Sequence, residues 1–338
     1  MLPNGRRLGA HLPLGHGMVR AADRAAEIGA SALQVFSDNP TSWRRRPTLP
    51  RELPAFRERL VERGIGPLAI HAPYLVNLAG PDPDVHRRSV EVLVNELRVA
   101  SAYGARFVNV HIGSHRGQGP AAGIRQLALG VREVMDRVDG KVRDVTLVLV
   151  NGSGGGFGLG ASMEELGAIE QSIAEAGVDP ERYGFCLDTA HLWGAGYPLH
   201  TAIGVDGTLE AFDELVGIGR LHMVHLNDSR SEIGSRQDRH EHVGAGRIGA
   251  EGMARVITHP ALDGVPCYLE TPGMDDGYDA VNIARVLDLA NGRPLADLPA
   301  SAFQTRSSRG RSAPAEDGER PRAPMVDLPT STPRGSGG

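Results

Sequence analysis

The chain has 338 residues, of which 41% are hydrophobic and 23% charged, and its formal net charge is −5. That length and apolar fraction suffice to bury a core of ordinary size, in one large α/β domain or in two smaller ones. The negative charge excludes a globally basic nucleic-acid binder, but not a local positive groove, because electrostatic steering depends on where charges lie.

Eight short runs of apolar or β-branched residues recur along the chain and predict eight strands. In order they are RRLGAHL, SALQVFS, GPLAIHA, ARFVNVHI, VTLVLV, YGFCLD, LHMVHL and PCYLE. The segments between them mostly have helical periodicity. The stretch SVEVLVNELRVASAYG shows it best, with apolar residues at three- and four-residue steps from Val90 to Ala100 and Gly104 as a C-cap.

Eight alternating β/α units predict a (β/α)8 TIM barrel as a single domain over residues 1–294, with a doubly wound open sheet as the main alternative. From Leu295 onward the composition shifts to Ser, Pro, Gly and Arg with little to bury, which predicts a disordered tail over residues 295–338. Acidic residues of this tail offset much of its arginine charge, which favours a solvated tail over a nucleic-acid contact.

The cysteines and the apolar runs bear on location. Cys186 and Cys267 are the only cysteines, and each lies in an apolar run, which favours buried thiols in a reducing compartment over a disulfide. The first residues, MLPNGRRLGAHLPLG, lack the apolar core of a signal peptide, and no run of about 18 apolar residues occurs. We therefore expect a cytoplasmic protein that does not span a membrane.

Imidazole and carboxylate groups are concentrated at the ends of the predicted strands, where a (β/α)8 barrel builds its active site. These residues are His71, His111, Asp188, His191, His225 and Glu270, with Asp238 and His240 in the loop SRQDRHEHVGAGRIG. Any one alone would more often be a hydrogen-bonded group at a strand end, but eight at one mouth favour a metal centre. This mixture suits Zn²⁺ and related first-row ions, whereas Mg²⁺ or Ca²⁺ would favour oxygen ligands. The GSGGG segment lacks the Lys-Ser/Thr of a phosphate loop.

Longer motifs follow one another in the order HAPYLVNLA, HIGSH, LDTAHLWGAGY, HLNDSR, SRQDRHEHVGAGRIG and LETP, after the opening segments GAHLPLGHG and GASALQVFSDNPTSW. Together they resemble the successive signatures of the endonuclease IV family of abasic-site endonucleases. The match covers about residues 8–290. Several motifs are long and occur in the family's order, so chance similarity is a poor explanation.

This resemblance implies a trinuclear zinc site that binds duplex DNA, flips out an abasic nucleotide and cuts the phosphodiester on its 5′ side. The products would be a 3′-hydroxyl and a 5′-deoxyribose phosphate. By motif, the ions would be held by His71 and His111, by Asp188, His225 and Glu270, and by His191, Asp238 and His240. Bound metal would lower the pKa of the attacking water and neutralise phosphate charge, and Glu270 would also orient this nucleophile. Mn²⁺ is an alternative metal.

Candidate DNA contacts follow from the same resemblance. Tyr74 and Leu75 match the family loop that enters DNA at the lesion, although a loop anchor packed on the barrel rim is a close alternative. Candidate phosphate contacts, any of which could also be solvated surface, are Arg44, Arg45, Arg46, Arg236, Arg239 and Arg247. We expect a monomer with no obligate protein partner.

The fifth predicted strand departs from the family pattern. It ends in Val150 and Asn151, where the resemblance implies Glu-Asn and a glutamate that bridges the first two ions. The Asn151 amide is neutral and should point to the other side of the sheet, and Asp144 lies roughly 20 Å away at the opposite end of the strand. We therefore predict normal metal occupancy at the second and third sites and weak occupancy at the first.

Three functional interpretations remain. The favoured one is a working abasic-site endonuclease whose first metal is altered or labile. The second is a paralogue that binds damaged DNA, or acts on another phosphoester, with little phosphodiesterase activity. The third is a sugar isomerase or epimerase of the xylose-isomerase-like barrel class. That class generally uses an acid at the end of this same strand, so Val150 disfavours it at least as much.

Overall fold

A computed structural model describes residues 1–138, 140, 142–273 and 276–304. Its strands are β1 (Leu8–His11), β2 (Ala32–Val35), β3 (Leu68–His71), β4 (Phe107–His111), β5 (Thr146–Val150), β6 (Tyr183–Asp188), β7 (Leu221–His225), β8 (Asp228–Ser229), β9 (His240–Glu241) and β10 (Cys267–Leu269). Eight of these described strands close a parallel barrel in the order β1, β10, β7, β6, β5, β4, β3, β2. The predicted barrel is confirmed, and the open sheet is wrong because β2 pairs back to β1.

Helices connect the barrel strands on the outside. They are α1 (Met18–Glu27), α2 (Leu53–Glu62), α3 (Pro83–Tyr103), α4 (Pro120–Arg137), α5 (Met163–Glu175), α6 (Thr189–Ala195), α7 (Ala202–Leu215), α8 (Gly249–Thr258) and α9 (Tyr278–Ala290). None of the described helices combines the length and the apolar character that a membrane span needs.

The helix predicted around Val90 is α3, and its two ends have separate causes. Gly104 ends it at a φ of 72°, as predicted, because glycine adopts left-handed backbone without a Cβ clash. The helix begins earlier than its apolar pattern because the Asp82 side chain accepts hydrogen bonds from the Asp84 and Val85 amides.

Side chains of the barrel strands alternate between an inner cluster and an outer layer that packs on the helices. In β5, Leu147 and Leu149 join the outer core, whereas Val148 and Val150 join the inner cluster. The described members of the inner cluster are Ala32, Ala69, Phe107, Val148, Val150, Cys186, Met223 and Tyr268. Both cysteines are buried free thiols, which confirms the prediction of buried thiols in place of a disulfide.

The chain beyond α9 returns to pack on the barrel. Arg285 Nη1 donates to the Ala296 carbonyl at 2.6 Å, and His242 Nε2 donates to the Ala302 carbonyl at 2.9 Å. Ala302 belongs to a short helical turn, Ala300–Gln304, and its side chain is buried. Residues 296–304 therefore take part in the packing of the barrel, which the predicted boundary at residue 295 did not include. The rest of the predicted tail, residues 305–338, lies outside the described residues.

Candidate metal centre

The carboxyl ends of the strands bring the predicted ligands to one mouth. His71, His111, Asp188 and His225 are the last residues of β3, β4, β6 and β7, and Glu270 directly follows β10. Within the described part of the chain, two groups of three have ligand atoms within 4.8 Å of one another. They are Asp188 with His191 and His240, and Asp188 with His225 and Glu270. Asp188 is thus common to both groups.

In the group of Asp188, His225 and Glu270, the side-chain amide of Gln34 orients two of the ligands. His225 Nδ1 lies 3.7 Å from Asp188 Oδ2 and 3.4 Å from Glu270 Oε2. On the other side of the ring, His225 Nε2 donates to Gln34 Oε1 at 2.9 Å, and Gln34 Nε2 donates to Glu270 Oε1 at 2.6 Å. Because His225 Nε2 donates to Gln34, Nδ1 is the ring nitrogen that faces the two carboxylates and can serve as a metal ligand.

The other group is completed by the loop after β8. The two oxygens of Asp238 lie 3.3 Å from His191 Nε2 and 3.0 Å from His240 Nε2, and the latter is also 3.6 Å from Asp188 Oδ2. Both rings are held by a hydrogen bond from Nδ1. His191 Nδ1 donates to the Asn151 carbonyl, and His240 Nδ1 donates to the Glu270 carbonyl. Such an Nδ1 bond fixes the tautomer and offers Nε2 as a ligand. His240, predicted in a loop, begins β9, which pairs with β8.

These donors fit a first-row cation. His225 Nδ1 and His240 Nε2 are buried, and each lies within 4 Å of two carboxylate oxygens. Buried carboxylates that converge on ring nitrogens are unfavourable without a positive charge between them, and a bound ion would supply that charge. The shared Asp188 carboxylate is itself held by the amides of Ala190 and His191 and by Asn227 Nδ2, at 2.8, 3.1 and 2.9 Å. Nitrogen and carboxylate ligands together suit Zn²⁺.

The electrostatics of the mouth also favour a cation. Burial opposes ionisation of Asp188, yet the adjacent His191, His225 and His240 lower its pKa to about 2. Burial likewise disfavours the charged imidazoles, but Asp188 and Asp238 raise the pKa of His191 to about 9 and that of His240 to about 10. Carboxylates that hold protons on buried histidines create a negative field, and the same field attracts a metal ion.

His71 and His111 differ from these two groups. Their rings lie 5.3 Å apart, and His71 Nε2 is 3.9 Å from Glu270 Oε1. Burial lowers the pKa of His71 to about 3 and that of His111 to about 4, so both are neutral and able to act as ligands. Neither belongs to the two groups found among the described residues. Val150 pairs in register with His111 but is buried in the inner cluster, so β5 offers no acid at this level.

Three amide side chains that position the ligands were not predicted from the sequence. Besides Gln34, Asn151 accepts the Asp188 N–H through Oδ1 at 2.6 Å. Asn227 donates to Asp188 Oδ2 and accepts the Glu270 N–H at 2.8 Å. One signal was available for Gln34, because it is a polar residue in the middle of an otherwise apolar strand. The strand-end amides gave no comparable signal.

The residues predicted to contact DNA differ in their exposure. Tyr74 is 57% exposed, and its ring lies 5.6 Å from that of His71, while Leu75 is half-buried. Of the six arginines predicted to contact phosphates, five have exposed side chains: Arg44, Arg46, Arg236, Arg239 and Arg247. Arg45 differs from the prediction, because its guanidinium is committed to the protein. It lies 3.3 Å from the buried Glu96 carboxylate and also donates to two backbone carbonyls.

Comparison with known proteins agrees with this geometry. A family model described as a xylose isomerase-like TIM barrel matches residues 22–290. A probable endonuclease 4 of Methanoculleus marisnigri is 38% identical over 283 residues, which is 84% of this chain and 98% of that protein. A probable endonuclease 4 of Halorhodospira halophila is 42% identical over 271 residues, covering 80% and 90% of the two chains.

Solved structures extend the comparison. The crystal structure of endonuclease IV from Thermus thermophilus superposes with a TM-score of 0.71 at 35% identity, covering 85% of this chain and 99% of that one. A D-tagatose 3-epimerase-like protein has a TM-score of 0.62 at 18% identity, covering 85% and 97%, and shares the fold alone. The chain therefore belongs to the endonuclease IV family, within the xylose isomerase-like TIM barrels.

Proposed function

We propose that this protein is a zinc-dependent DNA-repair endonuclease that hydrolyses the phosphodiester on the 5′ side of abasic sites in duplex DNA. The observation that carries the proposal is the pair of nitrogen and carboxylate groups that share Asp188 at the barrel mouth. The relatives named endonuclease 4, matched over nearly their whole length, support the same reaction.

The ligands at the barrel mouth would hold two metal ions. Asp188, His225 and Glu270 would hold one, and Asp188, His191, Asp238 and His240 the other, while His71 and His111 would bind the first ion of the family weakly. Bound zinc would lower the pKa of water and neutralise charge on the attacked phosphate and the leaving oxygen.

The chain's own groups would orient the reactants. Burial opposes ionisation of Glu270, but His225, His11 and His71 hold its pKa well below the usual range, so it is a carboxylate at neutral pH. This acceptor, 17% exposed at the mouth, would orient the attacking water by hydrogen bonding. Tyr74 and Leu75 would fill the space left by the flipped nucleotide, and Arg44 and Arg239 would bind phosphates.

A second candidate function is favoured by one observation, the buried Val150 beside His111. A mouth without a β5 carboxylate would still bind a damaged duplex but would cleave it slowly, or would act on another phosphoester. The chain would then be a lesion-binding paralogue.

The deciding experiment uses a duplex with a single tetrahydrofuran abasic analogue, incubated with purified protein with and without added Zn²⁺ or Mn²⁺. A nick on the 5′ side of the lesion, absent from an undamaged duplex and after Asp188→Asn, supports the endonuclease. Binding without nicking supports the second candidate. If the protein neither binds nor nicks the duplex, the sugar isomerase or epimerase interpretation remains. We also propose that the protein is monomeric and cytoplasmic. Light scattering tests the oligomeric state, and cell fractionation tests the location.

A further inference from the structure

The glycine-rich segment after β5, residues 152–158, is packed tightly against neighbouring loops. A Cβ on Gly152 would lie 2.5 Å from the Leu159 carbonyl oxygen, and one on Gly155 would lie 2.9 Å from the Arg236 carbonyl oxygen. The turn at its tip is closed by the Gly158 N–H, which donates to the Gly155 carbonyl at 3.0 Å. Close backbone approach therefore requires glycine at positions 152 and 155, and this packing fixes the position of the side chain at the tip.

That side chain is Phe157, which is 55% exposed. Its backbone carbonyl accepts the His115 N–H at 3.0 Å, and one side of its ring lies against His115, with centroids 5.3 Å apart. A large aromatic ring held on a well-defined turn, yet left half in water, has no role in the core. It offers a rigid apolar face at the rim of the mouth.

Two arginines flank this turn in an unusual backbone conformation. Arg116, at a φ of 49°, follows His115, and Arg236, at a φ of 58°, lies so close to Gly154 that its Cγ would be 3.5 Å from a Cβ added there. They are the two non-glycine residues with positive φ in the described part of the chain. Both side chains are exposed, and no described carboxylate forms an ion pair with either guanidinium. Left-handed backbone at a non-glycine residue is unfavourable and recurs at functional sites.

These residues are close in sequence to the metal ligands. Arg236 precedes Asp238 by two residues, and His115 follows His111 by four. The turn is also two strands along the rim from β3, whose following loop carries Tyr74. An exposed aromatic face near two arginines that form no ion pair with a described carboxylate is the combination with which proteins hold a nucleic-acid strand, by base stacking and by phosphate contacts.

We propose that Phe157 stacks on a base of the DNA strand that the mouth holds, and that Arg116 and Arg236 bind phosphates on either side of it. The inference rests on the proposed function, because it adds Phe157 and Arg116 as DNA contacts for the same site, beside Arg236, which is already a candidate phosphate contact. It adds a second contact region on the rim, separate from the Tyr74 loop.

The test measures the Kd of the zinc-loaded protein by fluorescence anisotropy, with an abasic-analogue duplex whose 5′ linkage is a phosphorothioate to slow cleavage. Phe157→Ala should raise the Kd roughly tenfold, which is the effect expected when one base loses its stacking partner. Phe157→Trp should bind as tightly as the wild type. Phe157→Leu preserves apolar packing on His115 but has no aromatic face, so it should lose affinity even if Phe157→Ala disturbs the turn. Arg116→Ala and Arg236→Ala should each reduce the slope of log K against log salt by about 0.9.

Leu129→Ala is the matched control, because Leu129 is an exposed apolar side chain, 60% accessible, on the outer helix α4. It should leave the Kd unchanged, and all variants should retain wild-type zinc content. Wild-type affinity in both Phe157→Ala and Phe157→Leu, with the wild type binding the lesion, overturns this inference and leaves the proposed function standing. Failure of the wild type to bind the abasic duplex overturns both.

Discussion

Placing a carboxylate at Val150 tests the hypothesis, drawn from the family resemblance, that the lack of an acid at the end of β5 weakens metal binding. The Val150 side chain is fully buried in the inner cluster and lies in register with His111 on one side and Cys186 on the other. In the metal-free protein, Val150→Glu would lose about 1.5 kcal/mol of apolar burial. A buried glutamate also takes a proton once its pKa passes 7, which limits its ionisation penalty to about 4 kcal/mol. We therefore expect metal-free Val150→Glu to be less stable than the wild type by about 2 to 5 kcal/mol.

Zinc should offset most of that loss of stability. With His71 and His111 at the same mouth, the new carboxylate would complete a third group of ligands, and an ion at about 1,000 times its Kd stabilises the folded state by about 4 kcal/mol. The expected result is one more tightly held zinc per chain than in the wild type, and a larger rise of the thermal midpoint on zinc addition.

The assay combines metal analysis after dialysis against a weak chelator with thermal unfolding with and without zinc. Val150→Gln is the matched control, since it has the same length without the charge and should gain neither the zinc nor the added stabilisation. Three tightly held ions in the wild type would refute the reasoning, as would a Val150→Glu variant whose zinc content does not change.

Three further outcomes are expected. Gln34→Ala removes the hydrogen bonds that orient His225 and Glu270, so zinc affinity should fall 10- to 100-fold in a competition titration with a chromophoric chelator; an unchanged affinity would contradict the positioning role. A strong chelator should lower the thermal midpoint, and Zn²⁺ should restore it better than Mg²⁺, whereas no response would argue against a metal centre. Arg6→Ala removes a buried guanidinium that donates to three backbone carbonyls, so the free energy of unfolding should fall by about 3 kcal/mol in urea denaturation while zinc content stays constant; a loss below about 1 kcal/mol would show that those bonds contribute little.

The strands and their terminal ligands could be predicted because both depend on local sequence. Each run of apolar residues occupies one strand, and a parallel barrel places every strand's carboxyl end at the same mouth. His71, Asp188 and His225 were therefore assigned to one site without any knowledge of distances. The C-cap of α3 was predictable for a similar reason, since Gly104 acts through its own backbone.

Other features depended on contacts between residues distant in sequence. Gln34 meets His225 across 191 residues, and Asn151 meets Asp188 across 37. Arg45, a predicted phosphate contact, is instead paired with Glu96, which only the packing of α3 brings near. Sequence periodicity cannot identify such partners, because a hydrogen bond between distant elements does not depend on the spacing of residues within either segment.

The sequence by itself determined the barrel and the mouth with its histidines and carboxylates, because strand order and side-chain alternation follow from local hydrophobic patterns. The absence of an acid at Val150 was inferred from the resemblance to the family and not from those patterns. Only the tertiary structure decided that the ligands form two groups sharing Asp188, and that amide side chains fix their orientation. It also decided that the glycine-rich turn holds Phe157 at the rim. These features are set by close approach of distant backbone segments, which depends on how the closed barrel brings its loops together.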